Sequence, residues 1–314
     1  MRPHADSPTT APTGSGADPQ TAVSRHRHLT RRTVLRGIGL GGLSLGAAAV
    51  LAGCGADAAP ETGGEEDAQN PSTPAGDLLE QIRANGVVRI GLEGTFRPYG
   101  YHDSTGALVG FEKEIADLIA QDLGVRPEYV ETPWDSLIAG VDVGRYDLVI
   151  NNIAPTDERR KVFDFSIPYA LSQGKVGVAE DSPLHHVEEI SGHSAAQTET
   201  SNFAQMMVRA GARIVPVTSF DEAILLVSYD RIEMTANDQV TFEAFFQQRP
   251  TVPIRLLDGN LGEPTESAVL MPQGQERLLA AVNASLRQRM QEGTLAAIYE
   301  KYVGQDLTPP ASYR

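Results

Sequence analysis

The side chains best suited to hold a charged small molecule gather in three short stretches, each at a point where an apolar run gives way to a helical pattern. The first, "EGTFRPYGY" (93–101), sets Glu93 among Phe96, Tyr99 and Tyr101 around Gly94, Pro98 and Gly100. It fits a cleft loop or a turn with its rings in the core, and Tyr101 is expected in the core. The second is Trp134, the only tryptophan, which opens a helix after Tyr129-Val130-Glu131 and suits a core position or a cleft wall equally. In the third, "NNIAPTDERRKVFDFSIPY" (151–169), Thr156 can cap a short helix, Asp157 and Glu158 suit its first turn, and Arg159 projects from its opening. Spacing alone leaves Arg159 as either a surface arginine or an anion contact. There is no Gly-x-Gly-x-x-Gly, no Gly-x-Ser-x-Gly and no phosphate loop. His185-His186 with Glu188-Glu189 lacks the i, i+4 spacing of a helical metal site and reads as an exposed loop.

The elements that must position these loops alternate along the chain. Val87–Leu92 reads as a strand, Phe111–Leu123 as a helix stopped by Gly124, and 147–151 as another strand. Thr132-Pro133-Trp134-Asp135 predicts a helix start capped by Thr132 with proline at the first helical position. Further on, a helix carrying Phe203 and Met206-Met207 ends before Gly211. A strand at 213–217, a helix capped by Ser219 through Val227, a strand at 232–236 and a helix at 240–248 follow. Strand and helix in turn imply an α/β fold of mostly parallel sheets flanked by helices, whose ligands bind beyond the carboxyl ends of the strands.

The N-terminal quarter reads differently. Six of the 26 basic residues but only two of the 41 acidic ones precede Cys54, the only cysteine. Residues 37–53 are uncharged, rich in Gly, Ala and Leu, and shorter than the roughly 20 residues a membrane span needs. Residues 1–53 therefore read as an export signal. Thr30-Arg31-Arg32-Thr33-Val34-Leu35-Arg36 resembles a twin-arginine signal, and Leu51-Ala52-Gly53-Cys54 resembles a lipobox, whose cysteine receives a diacylglycerol and becomes the new N-terminus. A short membrane helix with an incidental cysteine is the alternative. Residues 54–76 ("CGADAAPETGGEEDAQNPSTPAG") lack the large apolar residues that would offset ordering entropy and read as a lipid-anchored flexible tether, with a mean reach on the order of 25 Å. Processing at Cys54 leaves 20 basic and 39 acidic residues, a balance that repels nucleic acid and anionic lipid, so the membrane attachment rests on the lipid. With no cysteine after Cys54, disulfides and cysteine metal sites are excluded, and no cofactor is indicated.

Three stretches carry a family resemblance: "GFEKEIADLIAQDLGV", "WDSLIAGVDVGRYDLVINNIAPTDERRKVFDFSIPY" and "MQEGTLAAIYEKYVG". In this order they resemble the polar amino-acid solute-binding proteins of ABC importers, bacterial family 3. The cystine-binding members are nearest, through a shared Gly-Leu-Glu-Gly-Thr start and a Val-Ile-Asn strand end. The resemblance covers nearly all of 87–304 and is weakest at about 180–263. It implies a two-lobed clamshell of the type II periplasmic-binding-protein kind. One lobe would come from 77–172 and 265–314 and the other from 175–262, with two crossing strands as a hinge and closure as a rigid-body motion.

Carried over residue by residue, the resemblance makes Arg159 the contact for a ligand's α-carboxylate, a role that suits a guanidinium's two parallel donors, with backbone N–H groups at a helix start adding more. It makes Asp238, in "TANDQV", the acceptor of the α-ammonium, a position that otherwise reads as a plain helix cap. Glu93, Phe96 and Trp134 become cleft residues whose rings sandwich the ligand, and Asn152 and Ala154 contribute backbone groups. The chain departs from the family where Ala154 replaces a usual threonine, and in "QTETSN" (197–202), where Glu199 stands at an expected glycine. Thr198, Thr200 and Ser201 remain to supply hydroxyls and helix-start N–H groups. The function implied is a monomeric, membrane-tethered receptor on the extracytoplasmic face. It would capture a cystine-like or other zwitterion at a micromolar or lower dissociation constant, about −8 kcal/mol or better, and deliver it to a permease without making or breaking a bond. A cyclohexadienyl-type dehydratase using Glu93 or Glu199 as an acid, or a ligand sensor, is the alternative on the same fold.

Overall fold

The computed structural model describes residues 77–313, so the proposed signal, Cys54 and the tether lie outside the described residues. Two five-stranded sheets, each dressed with helices, form two lobes. In the first, the strand order is Arg126–Glu131, Val87–Leu92, Leu148–Val149, Leu270–Pro272, Phe163–Phe165. In the second it is Arg213–Pro216, Ser194–Gln197, Met234–Asp238, Gly174–Ala179, Ile254–Leu256. Each sheet is parallel across its first three strands and antiparallel where the other two join. Both sheets are thus mixed, and the parallel part of each supplies the strand ends that face the other lobe.

The local signals behave as elementary chemistry requires. Phe111–Leu123 buries Phe111, Ile115, Ala116, Ile119, Ala120 and Leu123 on one stripe and ends at Gly124, whose left-handed φ of 78° no β-carbon opposes. That stripe packs with Val88, Ile90 and the C-terminal helices Glu276–Gln291 and Thr294–Val303 into the larger core. At about 25 cal/mol per Å² of apolar surface, each fully buried Phe, Ile or Leu there contributes about 1.5–3 kcal/mol. The second lobe has its own core around Val176, Val178, Phe203, Met207 and Met234. The two lobes are joined where Ala170–Ser172 pairs antiparallel with Thr265–Ser267.

Three local expectations shift. The helix after Pro133 begins at Trp134 and runs only to Leu137, and Thr132 does not cap it, because its hydroxyl turns back to the Val130 carbonyl. The strand expected at 232–236 lies two residues later, at Met234–Asp238, since its pairing with Gly174–Ala179 fixes the register. Tyr101 is only half-buried, beneath the Arg97 guanidinium, and Tyr99 takes the core position.

Candidate functional site

Six parallel strands, three from each sheet, end facing a cavity of about 400 Å³ between the lobes. Val87–Leu92 runs into Glu93, Phe96 and Arg97; Arg126–Glu131 into Trp134; and Leu148–Val149 into Asn152. From the other side Ser194–Gln197 leads to Thr198, Ser201 and Asn202, Arg213–Pro216 to Ser219 and Asp221, and Met234–Asp238 contributes Asn237 and then Thr241. This is where an α/β sheet places its ligands, because strand ends and helix starts leave polar backbone and short side chains exposed together. Gly94 makes the first loop possible. Its φ is 72°, and an added β-carbon would lie 2.4 Å from the Glu131 carboxylate.

Around the first-lobe wall and across to the second lobe stands a group of carboxyls braced by two asparagines. Glu93 and Asn151 bond reciprocally: the Glu93 N–H donates to Asn151 Oδ1 at 2.9 Å, and the Asn151 amide donates to the Glu93 carboxylate at 2.8 Å. Asn152, at a left-handed φ of 51°, is the node. Its backbone N–H donates to Glu112 at 2.7 Å, its side-chain NH2 donates to Asp238 at 2.7 Å across the lobe boundary, and its side-chain Oδ1 accepts from the Ser267 hydroxyl at 2.6 Å. Glu112 also accepts from the Tyr169 hydroxyl at 2.6 Å on the same oxygen, leaving its Oε2 buried without a partner. Burial pushes Glu93 and Asp238 above the ordinary carboxylate range and Glu112 up to about 8.

Asp238 is saturated. Its carboxylate accepts from the Tyr99 hydroxyl at 2.6 Å, the Asn152 amide, and the N–H and hydroxyl of Thr241 at 2.9 and 3.1 Å, so it caps Gln239–Gln248 while holding two first-lobe groups. Arg159 is buried too, but its guanidinium meets only carbonyls, Ala154 at 2.8 Å in its own lobe and Thr200 at 2.9 Å in the other. Burial lowers it to about 10, and no carboxylate pairs with it among the described residues. The Trp134 ring lies 5.7 Å away, and its indole N–H donates to the Thr200 hydroxyl at 2.9 Å, a second contact between the lobes.

Of the residues singled out from sequence, Glu93, Phe96, Trp134, Asn152, Thr198 and Ser201 line the cavity, whereas Ala154, Arg159 and Asp238, which are buried, and Thr200, which is exposed, are not part of its lining. The expected helix start at Arg159 is a single 3-10 turn, Arg159–Lys161, so it offers no row of free N–H groups. Thr156 does accept from the Arg159 N–H, at 3.3 Å. The backbone groups of Asn152 and Ala154 turn inward to Glu112 and Arg159. Ser201 caps Asn202–Arg209, and Glu199 is exposed and does not line the cavity. Phe96 stacks on Tyr99 with centroids 4.6 Å apart. Sequence reading missed the buried Glu112 and, in the lining, Arg97, Asp221, Phe245, Gln248 and Arg249. For Asp221 a signal existed, since Ser219 marks a strand-to-helix loop. Gln248 and Arg249, at the far end of a helix, carry none.

Comparison with known proteins places the fold and the family. A probable amino-acid ABC transporter-binding protein of Haemophilus influenzae is 32% identical over 235 residues, 74% of this chain and 91% of its own. The L-cystine solute receptor of Neisseria gonorrhoeae, in an unliganded open conformation, is 31% identical with a TM-score of 0.54 and covers 74% of this chain and 100% of its own. An ancestral arginine-binding protein bound to arginine is 28% identical with a TM-score of 0.65, covering 69% and 98%. The family model for this group matches residues 88–305, and the chain belongs to the bacterial extracellular solute-binding proteins, family 3.

Proposed function

We propose that the chain is the membrane-tethered receptor of an ABC importer and captures a polar amino acid between its lobes for delivery to a permease. The observation that carries this reading is Arg159, a buried guanidinium solvated by two carbonyls and by no acid, beside a cavity that Glu93 enters from the opposite charge class. A ligand carboxylate supplies the missing anion. Charge-assisted bonds of this kind are roughly twice as strong as neutral ones, so exchange of the Thr200 carbonyl for a carboxylate is favourable. The ligand's ammonium sits between Glu93 and Asp238, reaching the latter by replacing the Asn152 amide. Both carboxyls are held high by burial, and a cation relieves that cost.

Closure turns on the paired strands Ala170–Ser172 and Thr265–Ser267, the narrowest link between the sheets. The lipobox at Cys54 supports attachment to the extracytoplasmic face, and no helix among the described residues is long and apolar enough to cross a membrane. Calorimetric titration of the ligand-stripped chain with L-cystine, the twenty amino acids and ornithine tests the reading. Micromolar or tighter binding of one or two zwitterions is expected, and silence across the panel would overturn it.

A further inference from the structure

Beside the two hinge strands runs a third segment that touches both lobes. The last helix of the first lobe, Thr294–Val303, stops at Gly304, whose φ of 69° is left-handed. Within that helix Tyr299 donates its hydroxyl to the Tyr169 carbonyl at 2.6 Å, directly before the hinge strand Ala170–Ser172. Leu171, in that strand, donates its N–H to the Leu307 carbonyl at 3.0 Å. Leu307 is buried and shares the larger core with Val240, a residue of the second-lobe helix Gln239–Gln248. Gln305 reaches the same helix, where its side-chain amide donates to the Glu243 carboxylate at 3.1 Å.

That helix carries ligand-facing groups of the second lobe. Asp238 caps it, and Thr241, Phe245 and Gln248 line the cavity. Glu243 lies two residues from both Thr241 and Phe245, about half a turn round the helix, so Gln305 grips it on the face turned away from the cavity. The start of the helix is anchored to the hinge as well. The Gln239 N–H donates to the Gln173 carbonyl at 2.8 Å, and the Gln239 side-chain amide donates to the other oxygen of Glu243 at 2.6 Å. Glu243 therefore accepts from a hinge-anchored residue on one oxygen and from the C-terminal segment on the other. Gln305, Leu307 and Glu243 are not part of the cavity lining.

We propose that residues 305–307 form a strap that holds the helix Gln239–Gln248 against the first lobe, and that Gln305 and Glu243 are positioning residues for ligand capture. Two short hinge strands leave the lobes a range of relative orientations, and few of these bring Asp238 and Arg159 to one ligand. The strap removes part of that freedom before the ligand arrives, so less ordering is left to oppose binding. This rests on the hinge closure and the amino-acid reading above, and adds a control of affinity from outside the cavity.

Trp134 reports the lobe arrangement, because it is the only tryptophan, is buried, and donates its indole N–H to Thr200 of the other lobe. Gln305→Glu sets two carboxylates against each other. In the full chain without ligand it is expected to move the Trp134 emission to longer wavelength. Calorimetric titration with L-cystine is expected to show binding weakened about fivefold or more, with Gln305→Ala between this variant and the unaltered chain. Combining Gln305→Glu with Glu243→Gln restores one amide and one carboxylate with their roles exchanged, and is expected to recover both the emission and the affinity. Thermal melts record any change of stability separately, and a change of stability alone gives no recovery of affinity in the exchanged pair. Emission and affinity of Gln305→Glu equal to those of the unaltered chain would overturn the strap. So would tighter binding, or an exchanged pair as weak as the single variant. If L-cystine binds neither the unaltered chain nor the variants, the amino-acid reading takes that loss and the emission alone decides: a shift recovered in the exchanged pair upholds the strap, and no shift overturns it.

Discussion

Arg159 and Asp238 are both buried charges at the lobe boundary, and the protein treats them in opposite ways. Asp238 has every lone-pair direction answered by a donor, two of them from the facing lobe, so it already acts as a latch. Arg159 has two carbonyls bonded to its guanidinium but no carboxylate bonded to it among the described residues, and Glu158 acts on it only through charge, too weakly to offset burial. Water lost on burial is replaced in full at Asp238 and in part at Arg159. The comparison teaches that a charge left short of a partner takes a ligand's charge directly, whereas a saturated one holds the protein together and meets a ligand only by giving up one of its donors.

The sharpest way to break this comparison is Arg159→Ala. Ligand affinity is expected to fall at least about a hundredfold, about 3 kcal/mol, in a calorimetric titration. The melting temperature is expected to stay level or rise, because an incompletely solvated buried cation has been removed. A large drop in stability with unchanged affinity would reverse the roles. Asp238→Ala should do the opposite in unfolding experiments. It strands the Tyr99 hydroxyl and the Asn152 amide and removes a helix cap, for an expected stability loss of about 2–4 kcal/mol in urea titration.

Glu112 sharpens the comparison through pH. Its carboxyl, raised from 4.5 to about 8, binds a proton in the folded state that the unfolded chain has released. The stability it contributes is therefore fully present below about 4.5 and is lost as pH rises through about 8. Glu112→Gln is expected to flatten that alkaline decline in melting curves recorded from pH 6 to 9. A decline of unchanged slope would place its origin elsewhere. Smaller again is Trp134→Phe, which keeps the ring but removes the donor to Thr200, with an expected loss of about 1 kcal/mol, or about fivefold in affinity. The smallest effect concerns protons. Because burial raises Glu93, an ammonium bound beside it releases a fraction of a proton, so binding should strengthen modestly as pH rises. Titrations in two buffers of different ionisation enthalpy should give different heats, and identical heats would separate Glu93 from the ammonium.

Much of this architecture was readable before any coordinate. Phe111–Leu123 announces itself by its apolar spacing and Gly124, and Ser219 and Asp238 cap the helices their neighbours predict. The strand at Met234–Asp238 was displaced by two residues because pairing across a sheet, not the apolar run, sets its register. Arg159 and Asp238 were nameable only by resemblance. Spacing places a charge on a loop but says nothing of what surrounds it, and here the surroundings, carbonyls for one and donors for the other, separate the two roles.

The sequence by itself determined the alternation of strand and helix and the strand-to-helix loops that face the cleft, since each is set by residues near in the chain. Tertiary structure alone decided that Asn152 ties Glu112, Asp238 and Ser267 together. It alone decided that Thr200 meets both Arg159 and Trp134 across the lobes, and that Arg97, Asp221 and Arg249 line one cavity. These groups lie far apart in sequence. Charge, burial and hydrogen bonding act through distance in space, and only the folded chain brings those distances down to the range where they act.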